Sequence, residues 1–147
     1  MVKTSSRSVF HKKKISKSLV KQVMRAARSS YAPYSRINVS AGMLCSSGIL
    51  YTGVNIENGS YGLSMCAERV AIYNALSAGE RSFKMILVYS PQIEHISPCG
   101  ACLQVIGEFS TDIIIVTIND KLELKILPYS TLLKRPFKHP VLRPPGK

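Results

Sequence analysis

Apolar residues recur at helical spacing through Ile15, Leu19, Val20, Val23, Met24 and Ala27, which predicts an amphipathic helix over 15–30, with Pro33 barring any continuation. Two short apolar segments, 37–44 and 49–54, flank Ser46-Ser47-Gly48 and predict a β-hairpin. Residues 55–62 are rich in Asn, Gly and Ser and are expected to be a loop. From Cys66 to Ala78 the residues Ala67, Val70, Ala71, Ala75 and Ala78 share one face and Gly79 follows, the pattern of a buried helix with a glycine stop. The unbroken apolar run 85–90 reads as a strand covered on both faces. Pro98 then precedes a second core helix, 99–109. Residues 113–118 predict the next buried strand, Asn119-Asp120 a turn into 122–127, and Pro128 the start of a short helix. Five strands interleaved in the order α-β-β-α-β-α-β-β imply an α/β fold, a three-layer α/β/α sandwich around a mixed sheet.

The chain's 147 residues suffice for one ordinary domain, and a hydrophobic content of 46% excludes a disordered chain. No apolar run approaches the ~20 residues of a membrane span. The net charge of +12 suggests an acidic partner such as nucleic acid, but its placement weakens that reading. Residues 1–36 carry ten Lys or Arg and residues 134–147 five, both without an acid. Residues 37–133 hold five basic residues against all eight acids, a net charge of −3. The expected organisation is a basic N-terminal extension over 1–14, a folded domain over 15–134, and a basic, Pro-rich tail over 135–147. The opening segment also admits an organelle-targeting reading, although it lacks a secretory h-region. Blocks of like charge are usually solvated flanks, so binding of nucleic acid is not expected.

Candidate chemistry centres on Cys66-Ala67-Glu68 and Pro98-Cys99-Gly100-Ala101-Cys102. Both groups fall at predicted helix starts, where backbone N–H groups favour thiolates. Cys99 and Cys102 are three apart and can chelate one ion, with Cys66 a third ligand. Three ligands leave a tetrahedral zinc one open position, the mark of a catalytic site. Glu68 is poorly placed to be a fourth ligand and well placed to shuttle protons from a zinc-activated water. The bland alternatives are a structural zinc knuckle, for which Cys45 is the spare thiol, or three buried cysteines acting as small hydrophobes.

Together with Val54-Asn55-Ile56-Glu57-Asn58-Gly59-Ser60-Tyr61-Gly62 and Tyr31-Ala32-Pro33-Tyr34-Ser35, these motifs resemble the small, homotetrameric, zinc-dependent cytidine deaminase family over about residues 15–132. The resemblance implies hydrolytic deamination of cytidine and deoxycytidine to uridine and deoxyuridine with release of ammonia, in cytoplasmic pyrimidine salvage. It assigns zinc to Cys66, Cys99 and Cys102, and proton transfer to Glu68. Asn55 and Glu57 would hold the ribose 3′-hydroxyl, and Tyr61 would reach the sugar in a neighbouring subunit's site. Ala67 N–H would hold the base carbonyl, the Ser97 carbonyl the amino group, and Arg69 would offset the charge of the thiolates.

The chain departs from the family pattern at four points. Leu103 stands where a second arginine is expected, implying a less acidic zinc-bound water and an activity profile moved to higher pH. Ile37 and Thr131 stand at or near positions of pocket phenylalanines, a loss for which Phe137 is a candidate substitute, and Ser40 replaces a usual glycine. Two rival functions follow: a deaminase of a modified cytosine nucleoside of the blasticidin S type, and a polynucleotide deaminase. The latter class usually carries His-x-Glu, absent here.

Overall fold

The computed structural model describes residues 15–139. The expected extension over 1–14 and the tail beyond 139 lie outside the described residues.

The first helix, α1 (Lys17–Ala26), is capped by Ser16, whose hydroxyl accepts from Leu19 N–H, and it buries Val20 and Val23. It is shorter than its apolar periodicity suggests, because 27–29 tighten into a 3-10 turn. At that point the buried Ser40 hydroxyl donates to the Val23 carbonyl at 2.6 Å.

The hairpin strands are β1 (Ser40–Cys45) and β2 (Leu50–Val54). β1 begins three residues later than expected. The Asn55 side chain holds the Ile37 carbonyl at 2.8 Å and the Val39 N–H at 2.8 Å, while Gln92 Oε1 takes the Asn38 N–H at 3.0 Å. With those groups engaged by side chains, 37–39 cannot join a ladder.

Then follow α2 (Ala67–Ser77), β3 (Phe83–Tyr89), α3 (Gly100–Phe109), β4 (Ile114–Ile118), β5 (Leu124–Pro128) and a single turn, α4 (Tyr129–Leu132). On α2 the buried set is Ala67, Glu68, Ala71, Ile72 and Ala75, whereas the predicted Val70 is half-buried and Ala78 is exposed. The sheet order is β2-β1-β3-β4-β5, with β3 and β4 parallel and every other pair antiparallel. The parallel pair needs a crossover, which α3 supplies.

Alternation along the central strands divides two cores. Ala41, Met43, Cys45, Ile86, Val88 and Ile115 face α2 and α3, whereas Leu44, Met85, Leu87, Tyr89, Val116 and Ile118 face α1. The three layers are those the element order implies. Gly53 lets α2 lie directly on β2: a Cβ there would come within 2.6 Å of the Ala67 carbonyl oxygen and closer still to the Ala71 nitrogen. After α4 the chain runs back along α3, where Gln104 exchanges two hydrogen bonds with the Phe137 backbone at 2.8 and 2.9 Å.

Candidate metal centre and active site

Cys66 is the N-cap of α2 and Cys99 the N-cap of α3, and Cys102 lies in the first turn of α3. Pairing of β3 with β4 and crossover through α3 bring both helix starts to one end of the sheet. Cys66 Sγ and Cys99 Sγ are 3.9 Å apart, and the three sulfurs all lie within 4.8 Å of one another. Sulfurs placed at about 2.3 Å from one tetrahedral ion would be about 3.8 Å apart. The donor set is soft, anionic when ionised, and of the right span for zinc. Cys45 is buried in β1 outside this group, against the Met43 carbonyl, so the described residues offer no fourth thiol.

The Cys66 thiol is pulled down to about 5, first by a hydrogen bond from Cys102 and then by Arg69, whose Nη2 is 3.5 Å away. Cys102 moves up for the reciprocal reason, its bond to Cys66, reinforced by burial. The Cys102 N–H also points at Cys99 Sγ, 3.5 Å away. The Cys66 thiolate in turn raises the Arg69 pKa. The Leu103 side chain, next to Cys102, is 6% exposed and packed in the α2–α3 core, so an arginine there would need a partner to offset burial of its charge.

Glu68, 4% exposed, lines the same cavity as Cys66 and Cys99, a hollow of about 270 Å³. Burial, foremost, and the adjacent Cys66 thiolate raise its carboxyl to about 7, where it can both accept and return a proton. Ala67, Ser97 and Asn55 line this cavity too. Its apolar wall is aliphatic, built from Ile37, Val39, Ile93 and Ile96. Neither Thr131 nor Phe137 lines it: the Thr131 hydroxyl donates to the Pro128 carbonyl, and the Phe137 ring is 68% exposed.

Glu57 and Tyr61 line an adjoining hollow with Tyr34 and Ser64, and Ser35 lines both hollows. The expected loop over 55–62 is tethered more than its composition suggests. Ile56 bridges to Tyr31 and Met65, and 61–63 form a 3-10 turn. Glu57 accepts from Tyr34 N–H at 2.9 Å, Ser35 N–H at 3.1 Å and the Ser35 hydroxyl, which holds its carboxyl below the usual range, the hydroxyl first. Asn55 Oδ1 accepts from the Ser30 hydroxyl and Val39 N–H, and its Nδ2 donates to the Ile37 carbonyl. Tyr61 is 74% exposed and meets the Tyr34 ring edge-on at 5.7 Å. Ser35 stands within the quoted Tyr31–Ser35 motif, but the positioning hydroxyl of Ser30 and the lining residues Ile93 and Ile96 carry no periodic signal. Only their nearness to the Tyr31–Ser35 and Ser97–Cys102 motifs could have singled them out.

Such a site, with three thiols at two helix starts and a buried carboxyl beside them, defines a zinc hydrolase of the nucleoside deaminase type. Residues 13–118 match the cytidine and deoxycytidylate deaminase zinc-binding region, and the chain belongs to that family. A cytidine deaminase of Sporosarcina psychrophila is 45% identical over 91 residues, 62% of this chain and 67% of the relative. The crystal structure of cytidine deaminase from Burkholderia pseudomallei superposes with a TM-score of 0.77 at 36% identity, covering 82% of this chain and 97% of that one. A blasticidin-S deaminase of Bacillus cereus is 30% identical over 94 residues, 58% of this chain and 67% of the relative. The cofactor of the family region is zinc, and Cys66, Cys99 and Cys102 are the residues that can hold it here. Among the described residues no helix is long and apolar enough to cross a membrane.

Proposed function

We propose that the chain hydrolytically deaminates free cytidine and deoxycytidine, releasing uridine or deoxyuridine and ammonia. The observation that carries this reading is the sharing of one cavity by Cys66, Cys99 and the buried Glu68. Zinc, when bound by Cys66, Cys99 and Cys102, supplies Lewis acidity that brings a water's pKa down to about 7. Glu68 would relay both protons of the attacking water in turn, the first to N3 and the second, from the new C4 hydroxyl, to the departing amine. Its carboxyl, raised towards neutrality by burial, suits both directions of transfer. Ala67 N–H and the Ser97 carbonyl orient the base, Asn55 and Glu57 bind the ribose 3′-hydroxyl, and Arg69 tempers the thiolate charge. The serine hydroxyls and N–H groups that already engage Asn55 and Glu57 hold them ready for the sugar, so little ordering is left for binding.

Tyr61 reaching a neighbouring subunit's site is supported by its exposure, in company with Tyr31, Tyr34, Ile56 and Leu63, at this end of the molecule. On that reading the enzyme is a homotetramer of a 15–134 domain with basic flanks, working in cytoplasmic pyrimidine salvage. The aliphatic wall favours one alternative substrate, a modified cytosine nucleoside of the blasticidin S type, because no aromatic ring constrains the base plane.

The test is the loss of cytidine absorbance on adding purified full-length protein, with zinc measured on the same sample. One zinc per chain and turnover of cytidine are expected. Zinc-loaded protein that releases ammonia from blasticidin S but not from cytidine would transfer the assignment to the alternative. Protein that binds no zinc, or releases ammonia from neither, would end it.

A further inference from the structure

The opposite face of the sheet carries a second cavity, at about 520 Å³ larger than the one at Glu68. Lys21 and Arg25 line it from α1, one turn apart, and Arg28 from the 3-10 turn that follows, all exposed, whereas Val20 and Val23 are buried. Its other wall holds Asn38, Tyr89 and Asp120. The Tyr89 hydroxyl donates to Asp120 Oδ1 at 2.5 Å, which fixes the carboxylate and leaves its second oxygen to other partners.

The volume is that of a small-ligand pocket. Lys21 and Arg25 are offset by about 6 Å along the helix axis, so together with Arg28 they form a row of charge rather than one focus. A row suits a chain of phosphates, each with its own charge-assisted bonds. Asp120 points to more than a bare polyanion, since it repels one. A carboxylate oxygen and the Asn38 amide in the same lining are equipment for a sugar hydroxyl or a base edge. Cations for phosphates on one wall, and a carboxylate acceptor with an amide on the other, describe a nucleotide.

Two segments are common to both cavities. Ile37 and Val39 line the hollow at Glu68 while Asn38 lines the basic cleft, and Ile93 lines the first while Pro91 lines the second. The bond from Asn38 N–H to Gln92 ties these segments together.

We propose that the basic cleft is a second, non-catalytic site that takes a nucleoside triphosphate, and that its occupant alters nucleoside binding at Glu68 through 37–39 and 91–93. The coupling rests on the deaminase reading of the Glu68 cavity; the binding does not.

Equilibrium dialysis of the zinc-loaded, full-length protein against CTP and UTP tests the site. Tripolyphosphate, cytidine and a short single-stranded RNA serve as comparison probes. One saturable site per chain is expected, weakened at least about tenfold in a Lys21→Ala, Arg25→Ala double variant by loss of two charge-assisted contacts. Asp120→Asn should weaken CTP but strengthen tripolyphosphate. The KM for cytidine should shift by about twofold or more with CTP present, and not in the double variant, whose kcat without CTP stays at the parent value.

Absence of saturable binding below about 1 mM would overturn the proposal, a limit corresponding to very weak affinity. So would binding untouched by the double variant, tripolyphosphate binding as tight as CTP, or displacement of CTP by the RNA at lower concentration. Binding with an unmoved KM would overturn the coupling. If cytidine is not turned over at all, dialysis still reads the cleft, so the two failures are told apart.

Discussion

The thiol cluster and the 55–61 segment face neighbouring hollows, yet they are held in place by different physics. Cys66 and Cys99 cap helices whose other residues lie in the core: Ala67, Ala71 and Ala75 on α2, Leu103 and Ile106 on α3. Their positions are set by close packing, which transmits any change of volume. Asn55 and Glu57 lie outside the sheet, on a segment that backbone bridges tie to Tyr31 and Met65, and polar bonds position their side chains. They are set by hydroxyls and N–H groups from Ser30, Ser35, Tyr34 and Val39. Damage to the first region should therefore spread through the fold, and damage to the second should remain local.

The sharpest break is at the metal. Cys102→Ala should remove zinc and abolish turnover together, read by elemental analysis beside the absorbance assay. Glu68→Gln should keep its zinc and lose turnover by roughly 10²–10⁴-fold, the range of a general acid–base group. Zinc loss in that variant would make Glu68 part of the metal's support instead. Next comes packing. Gly53→Ala forces a Cβ against the backbone of α2 and should lower stability by about 1–3 kcal/mol, with activity falling in parallel as the Cys66 cap shifts. An unchanged denaturant midpoint would contradict the close approach of α2 to β2.

On the polar side, Ser35→Ala removes the hydroxyl that Glu57 accepts and that takes the Ile37 N–H at 3.1 Å. The KM for cytidine should rise by roughly 2- to 10-fold, equivalent to about 0.5–1.5 kcal/mol, with zinc content and midpoint unchanged. A fall in stability comparable to that of Gly53→Ala would erase the distinction between the two regions. The smallest effect concerns alkaline pH. Burial, then Glu80, raises the Cys45 thiol from 9.0 to about 11, so the unfolded chain ionises first. The stability it contributes is full below pH 9 and is lost as pH rises towards 11. Cys45→Ala should flatten the denaturant midpoint across that window, whereas an equal slope in both proteins would place the titration elsewhere.

The same contrast explains what could be read from the sequence. Among the described residues apolar patterning located α1, α2, α3 and the five strands of the three-layer sandwich, because burial imposes it directly, whereas Pro128 marked the start of α4. The Cys66 and Cys99–Cys102 spacings marked helix starts that the structure brings together. What periodicity overstated were the ends. β1 starts at Ser40 because the Asn55 and Gln92 side chains occupy the backbone of 37–39, and α1 stops at Ala26 where the chain tightens into a 3-10 turn beside the Ser40–Val23 bond. Polar latches of this kind join residues 16 to 54 positions apart and have no period to detect. The aliphatic cavity wall was equally hidden, since Ile93 and Ile96 lie in a connecting segment with no strand or helix pattern.

The alternation at Ile37, Asn38 and Val39 makes the length of this short lead-in more constraining than its composition. Deleting or inserting one residue before Ser40 would exchange its inward and outward faces, offering an amide to the base and a branched hydrocarbon to the cations on α1. Exchange of Ile37 for another aliphatic would be absorbed, whereas a frame slip of one position would spoil both hollows at once. Efforts to retune base preference should accordingly vary side chains here and leave the residue count alone.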